Sequence, residues 1–412
     1  MKQLIRLPDG FDRDLKLLLC SMSLRRIAMG SLQVVRAIYF ALLGYGPIEI
    51  GLLLSIATFV SAIHHITFGM LSDKFGRKLF FIFGGVFATM RMIIFAASSD
   101  FWMLAIGQGI GAMGEGAGAG QPVVSGYIAD KTNIEKRSSI FSTLAVTNGL
   151  ASTAGSLMAG LPTYFQSHLG INLVRAHSLL FWIDAACSAV ALLFILLLRD
   201  IKPVKSKVAL QERTSLKASS RGVIARFALV RSTSGLGWGF IDSLLSLYFF
   251  IQFGVGGEVL GPIYAGARFL SVFSYMFIPR VVNLFGEISS LVASRLITAG
   301  LTVMFSLAKW YPLAVFLMVT LRVVIMFTMP IRQSFATGIV EKDETATAIG
   351  VSNFARMSLR TVAPTMAGYM FEAVSLSMPF LTGALLLAIN GLLYRTFFQP
   401  KKEPASGSNY GG

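Results

Sequence analysis

Long apolar runs alternate along the chain with short polar breaks, and each run is about as long as a bilayer is thick. A helix rising about 1.5 Å per residue needs roughly 20 mainly apolar residues to cross about 30 Å of hydrocarbon. By that measure the pattern predicts twelve helices. Six cover residues 16–43, 48–70, 79–98, 101–127, 138–162 and 177–198. Six more cover 223–253, 258–281, 287–308, 311–337, 347–371 and 376–398. Breaks such as Gly44-Tyr45-Gly46-Pro47 and Ser98-Ser99-Asp100 are short enough to force antiparallel neighbours. One polar stretch is much longer. Residues 199–222 are basic and Ser-rich, with almost no large apolar side chain, and read as a linker joining six helices to six.

Composition turns this pattern into a membrane protein. Of 412 residues, 54% are hydrophobic and 14% charged, where a soluble domain carries about 25% charged residues. Mean hydropathy is +0.68. The net charge of +16 does not mark a nucleic-acid partner, because the basic residues stand in short blocks between the apolar runs. Those blocks set an orientation instead. With the N-terminus inside, about 24 of the 36 Lys and Arg fall in inner segments and helix ends, and the outer loops hold Arg175 and Lys309. The expectation is an integral protein of the cell membrane with both termini cytoplasmic and a disordered tail over residues 399–412. The opening MKQLIRLPDGFDRDLK is of mixed charge and does not read as a cleavable signal peptide.

Candidate enzymatic chemistry is sparse. Cys20 and Cys187 both fall in apolar runs and read as small buried hydrophobes. His64, His65, His168 and His177 have no Cys or carboxylate at ligand spacing, so no metal or other cofactor is expected. Neither a nucleophile–base motif nor a G-x-x-x-x-G-K-[ST] phosphate loop occurs, and an enzyme is not expected.

The two halves are copies. One constant offset aligns Ala57-Thr58-Phe59-Val60-Ser61 with Ala267-Arg268-Phe269-Leu270-Ser271. The same offset pairs Phe40 with Phe250, Gly51 with Gly261, Phe75 with Phe285, Gly76 with Gly286 and Asp73 with Asn283. A parallel repeat of six helices across a basic linker predicts two bundles with a cavity at mid-membrane.

Between the second and third spans lies Gly69-Met70-Leu71-Ser72-Asp73-Lys74-Phe75-Gly76-Arg77-Lys78. Gly76 permits a tight turn and Gly69 a close helix approach. Asp73 sits where unpaired amides favour an anion, and Arg77 and Arg137 can fork to carboxylates. The stretch resembles the loop signature of the major facilitator superfamily. Asp130 and Arg137, spaced as Asp-x(6)-Arg between spans four and five, resemble a second element of that family.

The resemblance covers about residues 15–398 and implies an all-α integral membrane protein, with twelve transmembrane helices in two pseudo-symmetric six-helix bundles. Residues 1–198 would form the N-terminal bundle, 199–222 a cytoplasmic linker, 223–398 the C-terminal bundle and 399–412 the tail. It also implies a monomer that moves a small-molecule substrate through the lipid bilayer by alternating access. Gly69, Asp73, Gly76, Arg77, Lys78, Asp130 and Arg137 would then brace the closed cytoplasmic side against helix eleven. The C-terminal copy of the loop, Pro279 to Glu287, lacks both the Asp and the basic pair, so this latch is expected to be asymmetric. Span four has no Arg before Gln108-Gly109, and span five, from Asn148 to Gly155, has no Gly-Pro pair. That absence counts against a drug–proton antiporter.

Ionisable residues inside spans are costly and mark pathways or buried pairs. The resemblance assigns helices one, four, seven and ten to the cavity, flanked by two, five, eight and eleven. On that assignment Arg36, Glu115, Asp242, Arg268 and Arg322 are the candidate substrate or proton residues, and Arg91 and Asp184 are structural. Arg25, Arg26 and Arg231 stand near inner ends, where snorkelling explains them. Arg295, Arg356 and Arg360 stand open between interface and interior. His64 and His65 read as a helix-interface pair. Three cavity arginines favour an anionic or zwitterionic organic substrate, because guanidinium is a permanently charged fork. Glu115 and Asp242 are the candidate proton carriers. The alternative is a multidrug or lipophilic-cation exporter, with a channel, a membrane enzyme or a non-transporting sensor ranked below it.

Overall fold

The computed structural model describes residues 11–114, 120–132, 134–199, 218–274, 277–339 and 345–399. The first half holds α1 (Arg13–Leu42), α2 (Pro47–Phe75), α3 (Arg77–Ala97), α4 (Phe101–Gly114), α5 (Gly120–Lys131), α6 (Ile134–Met158), α7 (Leu161–Leu169) and α8 (Leu173–Leu196). The second holds α9 (Ala218–Asp242), α10 (Leu245–Phe253), α11 (Gly257–Ser274), α12 (Ile278–Phe285), α13 (Glu287–Leu307), α14 (Tyr311–Gly338), α15 (Thr345–Ala373) and α16 (Met378–Phe398). Most of the 199–222 linker and the tail beyond Gln399 lie outside the described residues.

Local chemistry sets the helix ends. Asp12 accepts the Leu15 N–H at 2.8 Å and starts α1, and Asn172 does the same for Arg175 at the start of α8. Pro47 opens α2, where a missing N–H costs nothing. Between α2 and α3 the chain turns on Gly76, at φ 97, and between α12 and α13 on Gly286, at φ 77. These are the two glycines the internal offset pairs. Gly44 (φ 94) and Gly254 (φ 65) are a second such pair, at the other end of the helices. The duplication is therefore preserved in the backbone, where a side chain at either position would be strained.

One predicted span, 223–253, is two helices, α9 and α10; within 101–127 and 258–281 the helices α4 and α5, and α11 and α12, are separated by residues outside the described ones. The fifth span ends at Met158, and the short α7 follows as a separate helix with Pro162 in its first turn. Proline has no N–H to continue α6 across that point. At Ser243–Leu244 the hydroxyl of Ser243 donates to Gly239 O at 2.6 Å and competes with the helical ladder.

Helix packing follows the duplication as well. In the first half α1 packs on α6 and α8, α3 on α4 and α8, and α2 on α4. In the second α9 packs on α15 and α16, α13 on α14 and α16, and α11 on α14, which is the same pattern one repeat later. The halves meet through α2 against α15 and α6 against α11. Paired glycines allow both crossings. A Cβ on Gly51 would stand 2.3 Å from Pro364 O, and one on Gly261 would stand 2.5 Å from Ser156 O.

Around the Gly44 end one apolar core is shared by both halves, with Val35, Tyr39 and Phe40 in the same cluster as Tyr248, Phe249 and Phe380. Elsewhere the buried apolar residues form one separate cluster in each half, around Leu15, Phe80 and Tyr127 in one and Val230, Leu291 and Tyr394 in the other. The molecule is thus a fork whose arms join at the Gly44 end. Among the described residues, seven helical stretches are long and apolar enough to cross a membrane by length and composition. Spans one, four, five, eight and eleven are not among them, and all but span four contribute polar residues to the space between the arms.

Candidate functional site

A cavity of about 380 Å³ lies between the two halves. Its wall includes Arg26 and Arg36 from α1, Asp242 from α9, Arg268 from α11, Arg322 from α14 and Arg360 from α15. Helical segments that are distant in sequence thus converge on one polar space, and five arginines face one aspartate.

Asp242 is held from two sides. Arg322 Nη2 donates to its Oδ1 at 2.9 Å, and Arg360 Nη2 approaches its Oδ2 at 3.4 Å. The Arg322 guanidinium also lies 4.3 Å from the centre of the Tyr264 ring, a cation–π stack that fixes its plane. The carboxylate stands at the C-terminal end of α9, just before the break at Ser243. A helix C-terminus disfavours an anion, and the two guanidiniums offset that cost. The break after Asp242 is what places it at a helix end, within the apolar run 223–253.

Arg268 crosses the gap. Its Nη1 donates to Ser152 O of α6 at 2.5 Å and its Nη2 to Gln33 Oε1 of α1, so one C-terminal side chain ties two N-terminal helices. Arg36 Nη1 donates to Gln108 Oε1 at 3.2 Å. Gln108 is fully buried and its Nε2 has no partner, which makes it a site residue that the sequence did not single out.

Four of the five residues expected in the cavity are there: Arg36, Asp242, Arg268 and Arg322. Glu115 lies outside the described residues. Arg26 and Arg360 join them. The snorkelling expectation fails for its three arginines, because each finds protein instead of interface. Arg26 lines the cavity, Arg25 Nη2 reaches Gly84 O at 3.4 Å, and Arg231 binds Asn353 Oδ1. Arg91 and Asp184 are fully buried among the N-terminal helices and absent from the cavity wall, with Asp184 accepting from Ser31 at 2.6 Å. Among the aromatic residues nearby, Tyr264 lines the cavity, while Tyr248 belongs to the apolar core and Trp238 packs against that core.

At the Gly76 end, Gly69 and Asp73 fall in α2 and Asp130 in α5, and the surroundings of all three lie outside the described residues. Arg77 reaches from the start of α3 to α5, where its guanidinium occupies the space a Cβ on Gly126 would need. Arg137 Nε donates to Thr132 O at 3.2 Å, and Lys78 stands in the first turn of α3. Lys131 pairs with Asp12 at 3.0 Å and with Asp14, tying α5 to the start of α1. Burial pulls the Lys131 ammonium down, but the two carboxylates outweigh it and leave its pKa above the ordinary lysine value.

Comparison with known proteins agrees with this geometry. The profile of the Major Facilitator Superfamily matches residues 18–364. A membrane protein of Saccharomyces cerevisiae is 21% identical over 393 residues, covering 87% of this chain and 88% of its own. Multidrug resistance protein 1 of Bacillus subtilis is 26% identical over 352 residues, covering 82% and 84%. The crystal structure of the nucleoside transporter NupG superposes with a TM-score of 0.72 at 13% identity, over 95% of this chain and 100% of that one. At that identity the likeness speaks for the fold alone. Sequence profile, duplicated helix packing and a charged cavity between two arms together place this chain in the Major Facilitator Superfamily, a family of membrane transporters built on twelve transmembrane helices.

Proposed function

We propose that the protein is a secondary active transporter that moves a small anionic or zwitterionic organic solute by alternating access, coupled to protons. The observation that carries this reading is the cavity wall, where among the described residues five guanidiniums face a single carboxylate already engaged by two of them. Such a wall attracts carboxylate, phosphate or sulfate. In this reading Arg36, Arg268 and Arg322 bind the anion, and Asp242 or Glu115 carries the proton. Residues 199–222 link the two bundles, and the chain works as a monomer in the cell membrane.

The basic asymmetry of the sequence supports an orientation with the Gly76 end and both termini in the cytoplasm. The fork then opens to the cytoplasm. Gly69, Asp73, Gly76, Arg77, Lys78, Asp130 and Arg137 would form the latch of the opposite state. Uptake into proteoliposomes, with and without an imposed pH gradient, tests the proposal. Saturable, gradient-dependent transport of organic acids is the expected result, and transport of cations with none of anions would refute it.

One observation favours a second reading, an exporter of lipophilic cations: the similarity to Multidrug resistance protein 1 over most of the chain. Against it, the one carboxylate among the described lining residues is occupied by arginines and is not open to a cation.

A further inference from the structure

The C-terminal half holds a second group of arginines away from the cavity wall: Arg231 of α9, Arg295 of α13, Arg332 of α14 and Arg356 of α15. Three of them flank one small apolar cluster made of Val230, Leu291, Ile331 and Tyr394. Arg231 and Arg332 directly follow Val230 and Ile331, and Arg295 stands one turn beyond Leu291. The backbone ties them together. Asn390 Nδ2 donates to Val230 O at 2.6 Å, and on the adjacent Gly391 a Cβ would stand 3.1 Å from that of Arg295. Arg356 packs its stem on Gly235, one turn from Arg231, while Arg231 Nη2 bonds Asn353, nearly one turn from Arg356. Phe335, nearly one turn beyond Arg332, meets the Tyr394 ring edge-on at 5.9 Å.

This group is short of acceptors. Arg295 is only 4% exposed, and its Nε and Nη2 have no hydrogen-bond partner. The Nε atoms of Arg231, Arg332 and Arg356 are orphaned as well. Among the described residues no carboxylate pairs with any of the four. A guanidinium does not readily shed its proton to escape burial, and a buried charge left without a counter-charge is strongly unfavourable. Arg295 is buried and the other three are half-buried, and four guanidiniums so placed together call for a bound anion. Forks arriving from four helices suit the several oxygens of a tetrahedral oxyanion better than the two of a carboxylate.

The depth is informative too. Arg231 precedes Asp242 on continuous helix, and Arg332 follows Arg322, each by about three turns. Arg231 and Arg332 therefore lie about 15 Å from the central ion pair toward the Gly76 end, while Arg356 stands one turn, about 6 Å, from Arg360. That displaces Arg231 and Arg332 toward the leaflet at the Gly76 end, where long arginine side chains reach phospholipid headgroups.

We propose that Arg231, Arg295, Arg332 and Arg356 form a binding site for a phosphate group, separate from the central cavity and independent of the transport reading. The phosphate comes either from a lipid headgroup of that leaflet or from the free ion. Thermal unfolding of the purified, delipidated full-length protein tests the site. Inorganic phosphate is compared with chloride at equal ionic strength, and phosphatidylglycerol with diacylglycerol of the same chains. Ligand bound to the folded state raises the midpoint.

The expected result is a rise with a phosphate-bearing probe, lost in Arg295→Gln and in Arg332→Gln but retained in the cavity variant Arg268→Gln. A rise with inorganic phosphate assigns the free ion, and a rise with phosphatidylglycerol alone assigns the lipid. No rise with either probe, a rise that survives both substitutions, or one lost in Arg268→Gln alone would overturn the proposal. Should Arg295→Gln fail to fold, Arg332→Gln, at a less buried position, decides the outcome.

Discussion

Asp242→Asn separates the anion reading from its alternative most sharply. An incoming anion must compete with the Asp242 carboxylate for Arg322 and Arg360, which hold it at 2.9 and 3.4 Å. A hydrogen bond to a charged group nets about 1.5–3 kcal/mol. With side chains 14%, 11% and 27% exposed, solvent screening brings the lower end of that range into play, about 1.5–2 kcal/mol. Asparagine keeps the shape and removes the charge, so one such bond is released to the substrate. At 1.4 kcal/mol per decade, anion affinity rises about 10–30-fold. Turnover falls, because tighter holding in one state disfavours the other. Equilibrium binding of organic acids and sugar phosphates to purified protein, with proteoliposome uptake in parallel, reads both effects. Anion binding that is unchanged or weaker in Asp242→Asn would refute the reasoning, and a loss of cation binding would point to the exporter. The same variant locates coupling: uptake should stop responding to a pH gradient if Asp242 carries the proton, and Glu115→Gln should do so if Glu115 does.

Three further outcomes follow from the geometry. Gly76→Ala and Gly286→Ala each place a Cβ at positive φ in a region nearly closed to L-residues, which costs about 1–3 kcal/mol, and should lower the unfolding midpoint by similar amounts because the two turns are equivalent; two neutral variants would contradict the shared turn. Gly51→Val and Gly261→Val push a side chain into carbonyl oxygens that a Cβ would approach to 2.3 and 2.5 Å. They should loosen the Gly44 end, read as faster thiol labelling of a cysteine introduced at cavity residue Ser246 from that side of the membrane, and unchanged labelling would refute this. Gly126→Val removes the slot in α5 that holds Arg77, and should slow transport while leaving substrate affinity within about twofold; a changed substrate preference would show that Arg77 belongs to the binding site.

The helices were legible because their signal is local. A run of about 20 apolar residues suffices, and each of the twelve predicted runs, where described, lies on helix in the structure apart from a residue or two at some ends and the breaks at 159–160 and 243–244. The duplication was legible at Gly76 and Gly286 because backbone strain limits what can replace glycine there. The break after Asp242 was not legible. It lies inside an apolar run, and nothing in Phe240-Ile241-Asp242-Ser243-Leu244-Leu245 spells a turn. The family resemblance assigned the helices of Arg36, Asp242, Arg268 and Arg322 to the cavity, but a helix assignment alone does not say which way a side chain points. For the same reason Arg26 and Arg360 were left aside, although both line that wall.

The sequence by itself determined that the chain crosses a membrane, how many times, and that its two halves repeat, since hydropathy and internal offset are properties of order along the chain. Only the tertiary structure decided the partners of the buried charges. Asp242 joins Arg322 and Arg360, Arg268 reaches Ser152 and Gln33, and Arg295 keeps company with three other arginines. Those pairings depend on the rotation and tilt of helices far apart in sequence. These are set by glycine-to-backbone crossings such as Gly51 on Pro364 and Gly261 on Ser156. In an apolar solvent that exerts no hydrophobic pull between helices, such close packing fixes which polar faces meet.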